Sequence, residues 1–385
     1  MAHEHLRPDS PLMTMANSFL HDEMLKLSIP GPSRDPVYYI SDGNTVLMVD
    51  NTLFKVHRSI LMKDKSAFET MFQLTAETES ARSDCSMTVP EGESDDNPIR
   101  LQGDTAEEFR SLLWALYALP HELMLATTAE ANSTQLVNLA RMAHKYQFRS
   151  IETWVLGALH IFYSRAGAFD AVAPAPPMLP HSNASYEAPS LVQLTELAAL
   201  CERPELLDLM IARWKKQIGE GKDLALAISI GERLNLRPIL GLAYHAMMLK
   251  GRAFWDTEPA LTREHRVRLI SGYYNLTKMW EALPAQPPPL SHNQRCTGQQ
   301  RCTRAFGQLW KAVLEQAPQV IPGMQKEDVL TKFMLVESVM KAIIESQPQA
   351  SVDHLPHCKE SALAVTTMKA REFKETLADY FSDEF

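Results

Sequence analysis

The sequence predicts an α+β N-terminal region, a small sheet with a helical cluster, followed by an all-α C-terminal region. Three observations carry this. A β-hairpin pattern occupies residues 45–56, helix-period apolar faces recur from residue 66 onward, and no strand pattern returns after residue 101.

Residues 1–36 read as a flexible, polar N-terminal segment, with one amphipathic stretch from Phe19 to Leu27 halted by Pro30, Pro32 and Pro36. Thr45–Val49 is a β-branched apolar run, Asp50-Asn51 is a turn pair that tolerates positive φ, and Thr52–Val56 alternates by two. Ser66 and Glu69 have capping-box spacing and open a helix carrying Phe68, Met71 and Phe72. Residues 75–97 are polar and acidic and read as a surface loop. A short strand is expected at Pro98–Leu101. A second capping box at Thr105 and Glu108 then starts a helix with Phe109, Leu112, Leu113, Leu116 and Tyr117 on one face. Leu136, Leu139, Ala140 and Ala143 repeat the pattern, as do Ile151, Trp154, Val155, Ala158, Leu159 and Phe162.

Residues 166–189 are rich in Ala and Pro and read as a linker. A helical domain is expected over 190–283, opened by Ser190 and Gln193. One long helix in it carries Leu269, Ile270, Tyr273, Leu276 and Trp280 as its apolar face. A second Pro-rich linker spans 284–302, and a C-terminal helical segment runs over 303–385 with helices near 303–316, 325–346 and 359–381.

Composition narrows the function classes. The 385 residues are 45% apolar and 22% charged, an ordinary globular balance, and the net charge of −9 disfavours global binding to phosphate backbones. Basic clusters at Arg213, Lys215 and Lys216 and at Arg263, Arg266 and Arg268 are local exceptions. Five cysteines, an odd and low number, argue against a secreted disulfide framework. The N-terminus has no long apolar run of the kind a signal peptide needs, and no uncharged run is long enough to span a bilayer. The expectation is an intracellular protein of the cytoplasm or nucleus, with no membrane partner.

The run Thr45-Val-Leu-Met-Val-Asp-Asn-Thr-Leu-Phe-Lys-Val-His-Arg-Ser-Ile-Leu61 resembles the opening of BTB/POZ domains, with Phe54, His57, Arg58 and Leu61 at the family's Phe-x-x-His-Arg-x-x-Leu positions. Phe68, Met71 and Phe72 match its Phe-x-x-Met-Phe helix. Tyr117 falls in the next block, and Lys145-Tyr146 in its Ala-x-Lys-Tyr helix. The resemblance covers residues 37–165. The acidic loop and the wording around it look most like the large BTB group of mushroom-forming, basidiomycete fungi. It implies a BTB/POZ fold and a non-enzymatic adaptor that homodimerises, with Phe19, Leu20, Met24 and Leu27 as dimer contacts and the C-terminal helices recruiting another protein. Asn44 stands where many members have the Asp of a charged pocket. Gln73–Glu79 matches poorly the motif by which some members recruit a cullin ubiquitin-ligase scaffold. Transcription regulation, cullin-type substrate adaptation and, less favoured, a metal-dependent enzyme are the alternatives.

No Gly-rich phosphate loop, nucleophile elbow or His-Glu-x-x-His helix is present, so no catalytic residue and no cofactor is assigned. His57-Arg58 reads as a structural turn, and His144-Lys145 as a solvated helix face. No metal is assigned either. Cys296 and Cys302, five residues apart, with His357 and Cys358 are the set that would make a zinc site, against the default of cysteines packing as small hydrophobes.

Overall fold

The computed structural model describes residues 31–81, 91–170, 187–320, 324–346 and 358–382. The chain divides into two compact units, Met1–Pro189 and Ser190–Phe385.

In the first unit a four-stranded mixed sheet has the order β1-β3-β2-β4, formed by β1 (Ser33–Tyr39), β2 (Thr45–Val49), β3 (Thr52–Val56) and β4 (Ile99–Leu101). The β2–β3 hairpin turns on Asp50-Asn51, with Val49 paired to Thr52 and Asp50 at φ 55°, as the turn chemistry predicts. β1 and β4 add to it in parallel on either edge. β1 corrects the far end of the segment read as irregular, since residues 33–36 are strand. Pro36 sits in an edge strand, where a missing N–H is tolerated. Asp35 organises the bend, its Oδ1 accepting from the backbone N–H of Val37 (2.9 Å) and of Tyr38 (2.7 Å).

Helices α1 (Arg58–Leu61), α2 (Ala67–Ala81), α3 (Ala106–Tyr117), α4 (Pro120–Leu125), α5 (Ser133–Lys145) and α6 (Arg149–Tyr163) complete the unit. α2 continues to Ala81, so the segment expected as a loop from residue 75 begins as helix. The far end of that segment is also built. Gly92, at φ +88°, exchanges backbone hydrogen bonds with Val46 and Asn97, and Asp95 accepts from the Tyr39 hydroxyl at 2.6 Å and the Arg34 Nε at 2.9 Å. Thr105 and Glu108 close the predicted capping box. The core lies where β2 and β3 meet α3, α5 and α6. Phe54 packs edge-on to Phe109 at 5.0 Å, and Leu47, Leu112, Leu139 and Leu159 are fully buried around them. Each such side chain contributes about 1.5–3 kcal/mol of burial.

The second unit is all helical: α7 (Leu191–Leu200), α8 (Pro204–Gly219), α9 (Leu224–Arg233), α10 (Arg237–Lys250), α11 (Arg252–Thr257), α12 (Arg263–Ala282), α13 (Gln299–Val320), α14 (Val329–Ser346) and α15 (Lys359–Thr376), ending in a 3-10 turn over Leu377–Phe381. Ser190 and Gln193 form the expected capping box. One hydrophobic cluster runs from Trp214 to Phe381, so the segment 284–302 is not a linker between separate bodies. The Trp310 indole donates to the Leu283 carbonyl at 3.0 Å, and Leu290 and Cys296 pack on the same core. Proline content made this segment look extended, while its few apolar side chains anchor it.

α12 also differs from expectation. Leu269 and Leu276 are buried, but Ile270 and Tyr273 face solvent, because the buried seam runs through Gly272. Phe381 fills that position, where a Cβ on Gly272 would lie 2.1 Å from its ring. Gly241 on α10 admits the backbone of Ala378 in the same way. Two glycines thus form the slot that the last turn enters, and Phe381 stacks on Tyr244 at 5.2 Å.

Candidate functional site

In the N-terminal unit the motif residues lock strands to helices. His57 leaves β3 and meets Tyr117 at the end of α3. Its backbone N–H donates to the Tyr117 hydroxyl (3.0 Å), and its Nδ1 lies 3.0 Å from the same oxygen. That oxygen accepts the amide proton, and the other ring nitrogen of His57, Nε2, lies 3.4 Å from Asp42. Burial raises the Tyr117 pKa, which keeps the phenol protonated. Asn44 Oδ1 caps α1 by accepting from the Arg58 backbone N–H at 2.8 Å. The position expected to contribute a pocket carboxylate therefore serves as a cross-strand cap. The Arg58 guanidinium donates to the Phe72 carbonyl (2.8 Å) and lies over the Phe72 ring. Leu61, Phe68 and Phe72 are buried and Met71 is half-buried.

A second lock sits between β4 and α5. Asp104, almost fully buried, accepts from Lys145 Nζ and from the Tyr146 hydroxyl, both at 2.5 Å. Burial, and then the bond to Asp104, drive the Tyr146 pKa up, so the phenol remains a donor. Tyr146 in turn stacks on Phe68 at 4.5 Å. Lys145 keeps the solvent exposure expected of it while its ammonium reaches the buried Asp104, and His144 pairs with Glu152 at 2.8 Å on the surface. A third charge pair, Asp35 with Arg110 Nε at 2.6 Å, buries the Asp35 side chain completely. These pairs hold a framework and offer no aligned nucleophile and base. The proposed dimer contacts Phe19, Leu20, Met24 and Leu27 lie outside the described residues.

The mixed sheet, the helical cluster and the inward-turned motif define an interaction-domain fold, and residues 42–156 match the family model of the BTB/POZ domain. The N-terminal unit therefore carries a BTB/POZ domain, typically a non-enzymatic protein-interaction module. No curated protein and no solved structure matches the chain.

The second unit holds a different constellation. His292, Cys296, Cys302 and Cys358 place one ligand atom each within 4.8 Å of all the others. His292 and Cys296 come from the Pro-rich segment, Cys302 from the first turns of α13, and Cys358 from the N-cap of α15. Cys296 Sγ is 3.6 Å from Cys302 Sγ and 3.9 Å from His292 Nδ1, and Cys358 Sγ is 3.5 Å from that nitrogen. Backbone N–H groups of Gly298 and Asn293 hydrogen-bond to the sulfurs of Cys296 and Cys358. The Gly298 bond lowers the Cys296 pKa, while burial raises those of Cys302 and Cys358.

Three of the four cysteine and histidine candidates predicted from sequence are thus brought together. His357 lies outside the described residues, and His292 stands in the cluster instead. The spacing His292-x3-Cys296 is itself metal-like and was the signal available. His292 lies inside a Pro-rich stretch of linker composition, which masks it as a ligand.

Proposed function

We propose that the protein is a non-enzymatic adaptor in which the BTB/POZ unit pairs with a second copy and the helical unit recruits another protein. The match of residues 42–156 to the BTB/POZ model carries this reading. Two outward features support it. α4 and its N-cap leave Leu119, Met124 and Leu125 exposed, and α12 presents Val267, Ile270 and Tyr274 at i, i+3 and i+7 on the face opposite its core seam. Such a stripe is the form in which a helix meets a partner.

In this reading the Phe19–Leu27 segment adds to the self-complementary interface, and pairing doubles the number of helical units offered to the partner. The resemblance to the fungal BTB group and an intracellular, reducing site of action belong to the same proposal. Co-expression of two differently tagged full-length copies tests it. Capture of one tag is expected to bring the other, and Leu20→Glu with Leu27→Glu to reduce that capture at least severalfold. Failure of the unmutated copies to co-purify at micromolar concentration contradicts the reading.

A further inference from the structure

We propose that His292, Cys296, Cys302 and Cys358 are the four ligands of a structural zinc ion that clasps the Pro-rich segment to the N-terminal ends of α13 and α15. The distances fit the metal. With Zn–S near 2.3 Å and Zn–N near 2.0–2.1 Å, a tetrahedron has ligand–ligand edges of about 3.5–3.8 Å. Three of the six separations are 3.6, 3.5 and 3.9 Å, and all six lie within 4.8 Å, close enough for a metal to draw the ligands together. A disulfide between Cys296 and Cys302 would instead need sulfurs about 2.05 Å apart.

The imidazole is set for the task. His292 Nε2 lies 3.1 Å from the Thr303 hydroxyl, and that hydroxyl donates its single proton to the Gln299 carbonyl at 3.0 Å. The hydroxyl oxygen therefore accepts, and Nε2 carries the imidazole proton. Nδ1 is left with a bare lone pair beside the sulfurs of Cys296 and Cys358. An outer partner that selects the ligating tautomer in this way is the usual support of a metal-bound histidine.

The site is closed. Cys302 and Cys358 are buried and the set already provides four protein ligands, leaving no position for a water or substrate, which marks a structural and not a catalytic centre. Thiolates with one imidazole in tetrahedral array select zinc over the hard cations. Each thiol releases its proton on binding, so three thiolates, one neutral imidazole and Zn2+ carry a net charge of −1. The Gly298 and Asn293 amides directed at two of the sulfurs offset part of that charge. Cys358 lies far along the chain from the three ligands within residues 292–302, so its ligation closes a long loop, where a cross-link constrains the chain most. The Pro-rich segment has no regular secondary structure over residues 286–293.

The full-length chain, expressed without chelator and purified under reductant, tests the proposal by elemental analysis. About one zinc per chain is expected, with at least a tenfold loss in Cys358→Ser and His292→Ala and none in Cys85→Ser. Because the ligand variants can misfold, chelator-stripped wild-type protein is also titrated with Co2+. The expected result is the intense visible bands of a tetrahedral thiolate site with sulfur-to-cobalt charge transfer, displaced by added zinc. A wild-type chain that takes up less than about a tenth of an equivalent of zinc under reductant overturns the proposal. So does a weak six-coordinate cobalt spectrum, an unchanged zinc content in Cys358→Ser, or a Cys296–Cys302 disulfide in protein isolated under reductant.

Discussion

Arg110 is the residue whose loss should cost the BTB/POZ unit most. Its partner Asp35 has no exposed side-chain surface and already accepts two backbone N–H groups, so removing the guanidinium strands a buried carboxylate. Arg110→Met is expected to destabilise the unit by about 3–5 kcal/mol, read from the urea midpoint of its unfolding. In the helical unit the buried imidazole of His245 plays a comparable part. Its Nε2 makes no hydrogen bond and sits 3.7 Å from Asp328, and burial holds its pKa below the ordinary value. The neutral ring is the folded form, so its contribution is complete above about pH 6.5 and is lost as pH falls and the unfolded chain takes up the proton. His245→Gln should flatten the fall in urea midpoint between neutral and mildly acid pH relative to wild type. Equal slopes in the two proteins would remove His245 from the account.

Among the elements, the last turn and α12 are coupled through a space that only glycine provides. Phe381→Ala leaves a cavity between Gly241, Gly272 and Tyr244 and should cost about 3–5 kcal/mol. Gly272→Ala should be costly in the wild-type background and far milder once Phe381 is alanine, a coupling that a double-mutant cycle on thermal or urea unfolding measures. Independent, additive effects would mean that Phe381 does not occupy the slot.

These elements also mark where sequence and structure part. The β2–β3 hairpin was legible because alternation, β-branching and an Asp-Asn turn all agree. β1 was not, since Pro30, Pro32 and Pro36 read as breakers, and the feature that makes the strand, Asp35 reaching Arg110, spans 75 positions. The buried face of α12 is not legible from apolar spacing, because Gly272, through which the seam passes, has no apolar side chain to mark it. The cluster around Cys296 was half legible for a related reason: spacing reveals local ligands, while only the return of α15 places Cys358 beside them.

For the whole molecule, the two units divide the work. The first uses its charged residues inwardly, at Asp35–Arg110 and Asp104–Lys145, to hold a BTB/POZ framework with apolar side chains left on α4. The second closes one continuous core from Trp214 to Phe381 and keeps an apolar stripe on α12 outside it. Pairing of two copies, as proposed, would display two helical units to one partner. Among the described residues no helix is long and apolar enough to cross a membrane. The basic group on α12 is largely committed within the unit, Arg266 to the Trp255 and Glu258 carbonyls and Arg268 to Glu232. That leaves little of it for a phosphate backbone.

Self-association is the central claim, and the mass of the full-length chain by light scattering across a concentration series tests it most directly. A mass of twice the 43.4 kDa chain, persisting into the low-micromolar range, is expected. A mass that stays at one chain at every concentration contradicts it.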